Sequence, residues 1–268
     1  MATRARGAGR ERKVRRRSLY DRQRRRRWLT IVLQIVVVLV LVSGTAYAFY
    51  HYVIESPRFQ VKRISIEGTD VLSPEAVRAV AGITERHNLL FFDAGEVRER
   101  IEAMPCVRGC EIQRAYPDLV IIRIRERVPL ATLLLNNHAF ELDEEAVVLR
   151  EIDSLAPHVG PLVTGVTALG LVEPGQRLEH PAVLNALAVW QAFCTQPLSR
   201  DLRVSELCSP KANAIAMICD EAPFEIRWGR GDFVRQAKRL NVLWREKGGA
   251  LPCLEYLDLR FDEDLVCK

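Results

Sequence analysis

The chain lacks the usual catalytic signatures. It has no G-x-S-x-G, no H-E-x-x-H, no P-loop and no G-x-G-x-x-G, so hydrolase-elbow, zincin, nucleotide-phosphate and dinucleotide sites have no sequence support. Histidine is scarce: the five residues, at 51, 87, 138, 158 and 180, are scattered, with no second histidine at helical spacing. C-x-x-C is absent, which removes the common zinc and thioredoxin-type patterns. Acidic clusters do occur, but Glu144-Glu145, Asp220-Glu221 and Asp262-Glu263-Asp264 sit at turns or near the end and read as solvated faces. The expectation is a protein that is not an enzyme, with no cofactor and no metal.

Negative charge is nearly missing from the first 27 residues, where 13 Lys/Arg face only Glu11 and Asp21. The remainder has 26 Lys/Arg against 32 Asp/Glu, so the overall net charge of +5 comes from a short tail and not from a nucleic-acid-binding surface. No zinc-finger or helix-turn-helix pattern accompanies the arginines, and no nucleic-acid partner is expected. Lys, Arg, Asp and Glu are all absent from the 27 residues between Arg27 and Glu55. An apolar helix from Leu29 to Tyr50 would be about 33 Å long at about 1.5 Å per residue, enough for a hydrocarbon core of about 30 Å. Trp28 at one end and Tyr47, Tyr50 and Tyr52 at the other suit the headgroup region. The basic tail predicts a cytoplasmic N-terminus with everything after Glu55 outside. A cleaved signal peptide is the rival reading, because Ala46-Tyr47-Ala48 has the A-x-A pattern. The long basic region and the apolar residues continuing to Ile54 favour an uncleaved anchor.

All seven cysteines (106, 110, 194, 208, 219, 253 and 267) follow the apolar stretch, where disulfides are possible. Cys106 and Cys110 are spaced for a local bridge, while Cys194, Cys208 and Cys219 fall in apolar patterns that suit buried thiols. The odd count leaves at least one free or paired between chains, and spacing alone fixes no connectivity.

Beyond the span, Phe59 to Glu67 alternates with a kink near Lys62-Arg63 and reads as a strand. Ser73-Pro74-Glu75 opens a helix that Gly82 closes, and Asp93 with Glu96 opens a second that Pro105 stops. Strands follow at Val107 to Arg114 and Leu119 to Arg127, around the turn Tyr116-Pro117-Asp118. The next stretch predicts a hairpin (Leu130 to Leu135, Ala139 to Leu142), a segment Ala146 to Leu149 and a loop Gly160 to Gly165. A helix from Pro181 to Phe193 precedes strands Leu202 to Cys208, Ala214 to Cys219 and Phe224 to Trp228. A helix Phe233 to Lys247 and an alternating strand Cys253 to Phe261 close the chain, and Asp232 reads as that helix's cap rather than as part of an adhesion motif. The fold class is α+β: a transmembrane helix, a β-α-α-β-β unit, then a mostly antiparallel β domain with flanking helices.

Ile66-Glu67-Gly68-Thr69, Ser73-Pro74-Glu75, Met104-Pro105, Tyr116-Pro117-Asp118 and Glu126-Arg127-Val128-Pro129, in that order, resemble a POTRA domain. One such domain directly after a single span resembles the FtsQ/DivIB family of bacterial cell-division proteins. The likeness continues through Glu141 to Leu149, where Ala146 replaces the family's usual glycine, and through Pro161 to Gly165. Its most specific part is Trp228-Gly229-Arg230-Gly231-Asp232 followed by Tyr256-Leu257-Asp258-Leu259-Arg260-Phe261-Asp262. The resemblance implies a cytoplasmic tail (1–27), a transmembrane helix (28–54), a POTRA domain (57–129) and an FtsQ-type β domain (130–268). It also implies a septal protein of the inner membrane that binds FtsB/DivIC-like and FtsL-like coiled-coil partners and other divisome proteins. Carried over residue by residue, the partner-binding candidates are Tyr256, Leu257, Asp258, Leu259, Arg260 and Phe261, with Arg260 available to a partner carboxylate and Phe261 an apolar anchor. Glu263 joins them, at a position where the family often has a small polar residue. The alternatives are a POTRA-bearing secretion or assembly factor and an unrecognised envelope enzyme.

Overall fold

The computed structural model describes residues 5–84, 87–249, 251–261 and 266–268, with backbone alone for 5–26 and 55. Two compact units are present: Met1–Lys62 with Glu85–Phe92 and Tyr116–Asp118, and Arg63–Thr84 with Asp93–Ala115 and Leu119–Lys268.

In the first unit, helix α1 (Ala5–Glu55) is already helical within the basic tail and runs on through the apolar segment. Arg27–Ile54 is long and apolar enough to cross a membrane, and its most apolar stretch is wholly unburied. Its hydroxyls bond back to their own helix, Ser43 Oγ to the Leu39 carbonyl at 2.6 Å and Thr45 Oγ1 to that of Leu41 at 2.9 Å, so neither would be left unsatisfied in lipid. The final turn is satisfied from outside: Asn88 Nδ2 donates to the carbonyls of Val53 (3.0 Å) and Ile54 (2.9 Å). Around this cap, Leu89 N donates to Phe59 O at 2.7 Å, Val61 N to His87 O at 3.1 Å and Lys62 N to Asp118 O at 2.9 Å.

The second unit holds both sheets. The smaller has strands β1 (Arg63–Glu67), β2 (Val107–Ala115) and β3 (Leu119–Glu126) in the order β1-β3-β2, with β1 parallel and β2 antiparallel to β3. Helices α2 (Pro74–Ala81) and α3 (Ala94–Glu102) start as expected: Ser73 Oγ accepts from Ala76 N, and Asp93 Oδ1 accepts from Gly95 N and Glu96 N. Val77 and Ala81 on α2, Val97 and Ile101 on α3, and the alternating Val120, Ile122 and Ile124 of β3 are all buried, so each element hides one face. Gly68, at φ 80°, follows β1 where a Cβ would lie 2.3 Å from the Ile124 carbonyl oxygen, so only glycine fits.

The larger sheet comprises β4 (Ala131–Leu135), β5 (His138–Leu142), β6 (Val148–Ile152), β7 (Leu162–Thr164), β8 (Val204–Lys211), β9 (Ala214–Cys219), β10 (Glu225–Trp228), β11 (Tyr256–Asp258) and β12 (Val266–Cys267). Its order is β12-β11-β10-β9-β8-β7-β4-β5-β6. Most pairings are antiparallel, but β7 is parallel to both β4 and β8, and β10 is parallel to β11. Helices α4 (Pro181–Cys194) and α5 (Phe233–Glu246) share one buried cluster with the sheet, including Leu133, Val163, Leu187, Phe193, Leu207, Trp228, Leu240 and Leu257. The segment Gly160 to Gly165, expected as a loop, contains β7, a central strand whose three residues are too few for periodicity to reveal. The expected strand from Cys253 to Phe261 is regular over Tyr256–Asp258.

Candidate partner-docking edge

Trp228 is fully buried and anchors the end of β10. The chain then passes close to the exit of β11: a Cβ on Gly229 would sit 3.0 Å from Arg260 Cα, so glycine permits the approach. Gly229 N donates to Gln236 Oε1 at 2.9 Å, and Asp232 Oδ1 caps α5 by accepting from Arg235 N at 2.9 Å. The Trp228-to-Asp232 motif is thus a mechanical joint that fixes α5 and β11 against β10.

Within β11 and its continuation the candidate residues separate by burial. Leu257, Asp258 and Leu259 are buried at 0%, 2% and 1% exposure, Tyr256 is half-buried and Phe261 is 51% exposed. Leu259 N donates to Arg227 O at 2.9 Å, extending the bonding with β10 past the regular strand. The Arg227 guanidinium lies 3.8 Å from the Tyr256 ring centroid and its Nε is 2.6 Å from Glu225 Oε1. Arg260 is engaged within the chain: its Nε is 2.9 Å from both Asp258 carboxylate oxygens. Burial pushes the Asp258 carboxyl up, but hydrogen bonds from the Arg260 side chain and backbone and the charges of Arg260 and Arg227 outweigh it and hold the carboxyl below the usual range. Arg239 Nη1 donates to the Phe261 carbonyl at 2.7 Å. Glu263 lies outside the described residues.

What lies on the far side of β11 has no local signal in the sequence. Strand β12 pairs antiparallel with it, Leu257 opposite Cys267 and Asp258 opposite Val266, and Cys253 is disulfide-bonded to Cys267. Cys106, Cys110, Cys194, Cys208 and Cys219 are free. Burial pushes the Cys110 thiol up to about 11 and that of Cys219 to about 12, so neither is a reactive thiolate near neutrality. Among the described residues no group of three or more His, Cys, Asp or Glu could hold a metal ion.

The smaller sheet has a groove of about 670 Å³ lined by Glu67, Gly68, Glu111, Arg123 and Arg125, with Cys110 and Ile124 also in its wall. Charges of both signs line it, including an Arg123–Glu67 pair at 3.0 Å. Where β3 leaves this sheet, Arg127 Nη1 contacts Asp143 Oδ2 at 2.6 Å and Glu145 Oε2 at 3.0 Å. Arg108 pairs with Glu144 (2.6 Å) and Glu145 (3.0 Å). The β-α-α-β-β order, the Gly68 contact and the Arg127 exit correspond to a match of residues 59–127 with the family model described as POTRA domain, FtsQ-type. Over longer stretches the chain is similar to curated relatives called cell division protein FtsQ. It is 24% identical to that of Syntrophotalea carbinolica over 80% of this chain and 75% of the relative, and 28% identical to that of Myxococcus fulvus over 75% and 69%. The relative from Geotalea daltonii is 22% identical over 85% of this chain and 82% of its own.

The chain carries a POTRA domain of the FtsQ type and is similar over most of its length to bacterial cell division proteins called FtsQ. These relatives are cell-division proteins, a family not known for enzymatic activity. The apolar helix Arg27–Ile54 has the length and composition that a membrane anchor requires.

Proposed function

We propose that the protein is a non-catalytic scaffold of the division septum that acts by capturing FtsB/DivIC-like and FtsL-like coiled-coil partners. The tail (1–27) lies in the cytoplasm, residues 28–54 span the inner membrane once, and the POTRA domain (57–129) and the β domain (130–268) are extracytoplasmic. The observation that supports this reading best is the terminal edge of the larger sheet, where β12 is the outermost strand and is paired on one side, with β11. Backbone N–H and C=O groups at such an edge recruit an extended segment by strand addition. Tyr256 and Phe261 supply accessible aromatic surface there, whereas Leu257 and Leu259 hold the strand in the core. The POTRA groove is the second docking surface, for recruitment of other divisome proteins.

Depletion in the native cell, with microscopy and co-purification of the full chain from membranes, tests this reading. Filaments without septa, and small coiled-coil membrane proteins in the eluate that are lost with Phe261→Glu, are expected. Normal septation with no such partner would overturn it in favour of an assembly factor or an envelope enzyme.

A further inference from the structure

We propose that residues 88–92 form a lipid-contacting loop: they are bonded onto the last turn of α1 and carry Leu90 and Phe91 into the headgroup layer of the bilayer, beside Tyr50, on the side where the span ends. This rests on the reading above that residues 28–54 cross the membrane.

The depth of the loop follows from the helix it grips. From Trp28 to Tyr50, α1 rises about 33 Å at about 1.5 Å per residue. With Trp28 at one boundary of a hydrocarbon core of about 30 Å, Tyr50 stands at the other. The Phe91 ring meets the Tyr50 ring with 5.6 Å between centroids and 75° between planes, so it lies at that boundary too. Asn88 Nδ2 donates to the carbonyls of Val53 and Ile54, about one helical turn, or about 5 Å, farther out. The loop therefore runs inward from Asn88, with Phe91 at the deeper end.

Irregular backbone enters a lipid layer only when its polar groups are satisfied. The N–H groups of residues 89–92 are all bonded within this unit: Leu89 N to Phe59 O (2.7 Å), Leu90 N to Asn88 Oδ1 (2.9 Å), and Phe91 N and Phe92 N to Asn88 O (3.0 Å each). Asn88 is buried and serves both partners, since its Oδ1 and carbonyl hold the loop while its Nδ2 covers carbonyls that the end of α1 would otherwise leave bare. Residues 87–92 contain no Asp, Glu, Lys or Arg. Leu89 and Phe92 are buried and close the loop from inside, whereas Leu90 is half-buried and Phe91 is 50% exposed, which leaves apolar surface facing out.

The neighbouring side chains suit the same layer. Tyr47, Tyr50 and Tyr52 are exposed, with rings for the apolar side of the boundary and hydroxyls for the wet side. Arg58, in the 3₁₀ turn Pro57–Phe59 to which Leu89 is bonded, is exposed, as is Lys62, and both put cations within reach of lipid phosphates. Lipid is the occupant because the Phe91 face is continuous with the span: any group that meets it sits at the depth of Tyr50, where the helix is wholly unburied by protein. A pair of apolar side chains binds a bilayer weakly alone, but here the spanning helix already holds them at the surface.

The full chain is compared as parent, Phe91→Trp and Trp28→Phe in nanodiscs of ordinary phospholipid and of phospholipid brominated near the headgroup end of its acyl chains, a short-range quencher of indole fluorescence. The emission that Phe91→Trp adds to the parent should lie to the blue of a water-exposed indole and lose about half its intensity or more to the bromines. The emission that Trp28→Phe removes should be quenched as well, because it reports the span. An added signal untouched by bromine, with Trp28 quenched, would overturn the lipid contact, leave the span standing and return the Phe91 face to solvent or to a protein partner. Trp28 unquenched would overturn the spanning reading and the loop's lipid contact with it. Circular dichroism melts check the fold of Phe91→Trp; if it is destabilised, Leu90→Trp is read in its place against the same outcomes.

Discussion

Arg260 folds back on Asp258, two residues earlier in the chain, with its Nη2 2.5 Å from Oδ2 and its Nε 2.9 Å from each carboxylate oxygen. The buried carboxylate is thereby neutralised at the edge of the sheet, and the guanidinium is spent inside the chain. Arg260→Ala should lower the unfolding free energy by about 1 to 2 kcal/mol, toward the low end because the arginine head is half exposed. The pH dependence follows from the sign of the shift. Asp258 is held below its unfolded value of about 3.9, so its contribution is complete above that pH and is lost as pH falls through the lower folded value. Without Arg260 the opposing effect of burial dominates, and acid destabilisation should begin at higher pH. Denaturant melts between about pH 2 and 6, with Asp258→Asn as the control whose Asp258-linked slope is absent, would show it. An unchanged acid limb in Arg260→Ala would rule out this account.

Phe261 and Leu259, on the same alternating face in sequence, should respond oppositely to a charge. Leu259 is 1% exposed, and Leu259→Glu places a carboxylate in the core; a loss above about 3 kcal/mol and poor folding are expected. Phe261 is 51% exposed, and Phe261→Glu should stay within about 0.5 kcal/mol of the parent while co-purification of the partner falls. Thermal melts run beside the pull-down separate the two. Partner capture retained by a folded Phe261→Glu would count against the edge.

Two arginines near the exit of β3 make a second contrast. Arg127 and Asp143 are both largely shielded, their side chains 16% and 4% exposed, whereas Arg108 is open to solvent. Burial opposes the Arg127 charge, but the hydrogen bonds it donates to Asp143 and Glu145 outweigh it, so the guanidinium stays charged throughout the accessible pH range. Arg127→Ala should cost about 2 kcal/mol, a penalty that persists in 1 M salt because the Asp143 carboxylate is left buried. Arg108→Ala should be silent at any salt concentration. Urea unfolding at low and high ionic strength distinguishes them, and a salt-erased Arg127 penalty would show that the pair is no more than surface electrostatics.

What could be read from the sequence was set by local chemistry. Ser73, Asp93 and Asp232 cap their helices as their residue types predict, because capping needs only neighbours two or three positions away. The membrane helix and the alternation of β3 were legible for the same reason. Leu162–Thr164 was not, since a three-residue central strand is identified only by the partners on either side. Asn88 capping α1 across more than thirty residues had no local signal either. At the terminal edge the alternation itself was legible, but the burial of Leu257, Asp258 and Leu259 together, the engagement of Arg260 with Asp258 and the cover of β12 depend on tertiary placement. Cys253 and Cys267 could not be paired by counting, because seven cysteines permit many connectivities.

Ala146 is where the departure from the family's glycine can be tested. Its φ is 60°, in the left-handed region, and it is fully buried. The turn around it is firmly held: Asp143 Oδ1 accepts from Glu145 N (2.9 Å) and Val147 N (2.8 Å), and Leu178 N donates to the Ala146 carbonyl at 2.9 Å. Ala146→Gly would relieve a strain of about 1 kcal/mol. It would also lose a buried methyl worth about 0.8 kcal/mol and loosen the unfolded chain by about 0.4 to 1 kcal/mol. These terms nearly cancel, so the variant should lie within about 1 kcal/mol of the parent. Ala146→Val has no such compensation, since a β-branched side chain is excluded from this conformation and overpacks the site, and a loss of about 2 kcal/mol or more is expected. Calorimetric melts of both decide the matter. A Gly variant destabilised beyond about 2 kcal/mol would mean that methyl packing, rather than the backbone, is what the alanine supplies here.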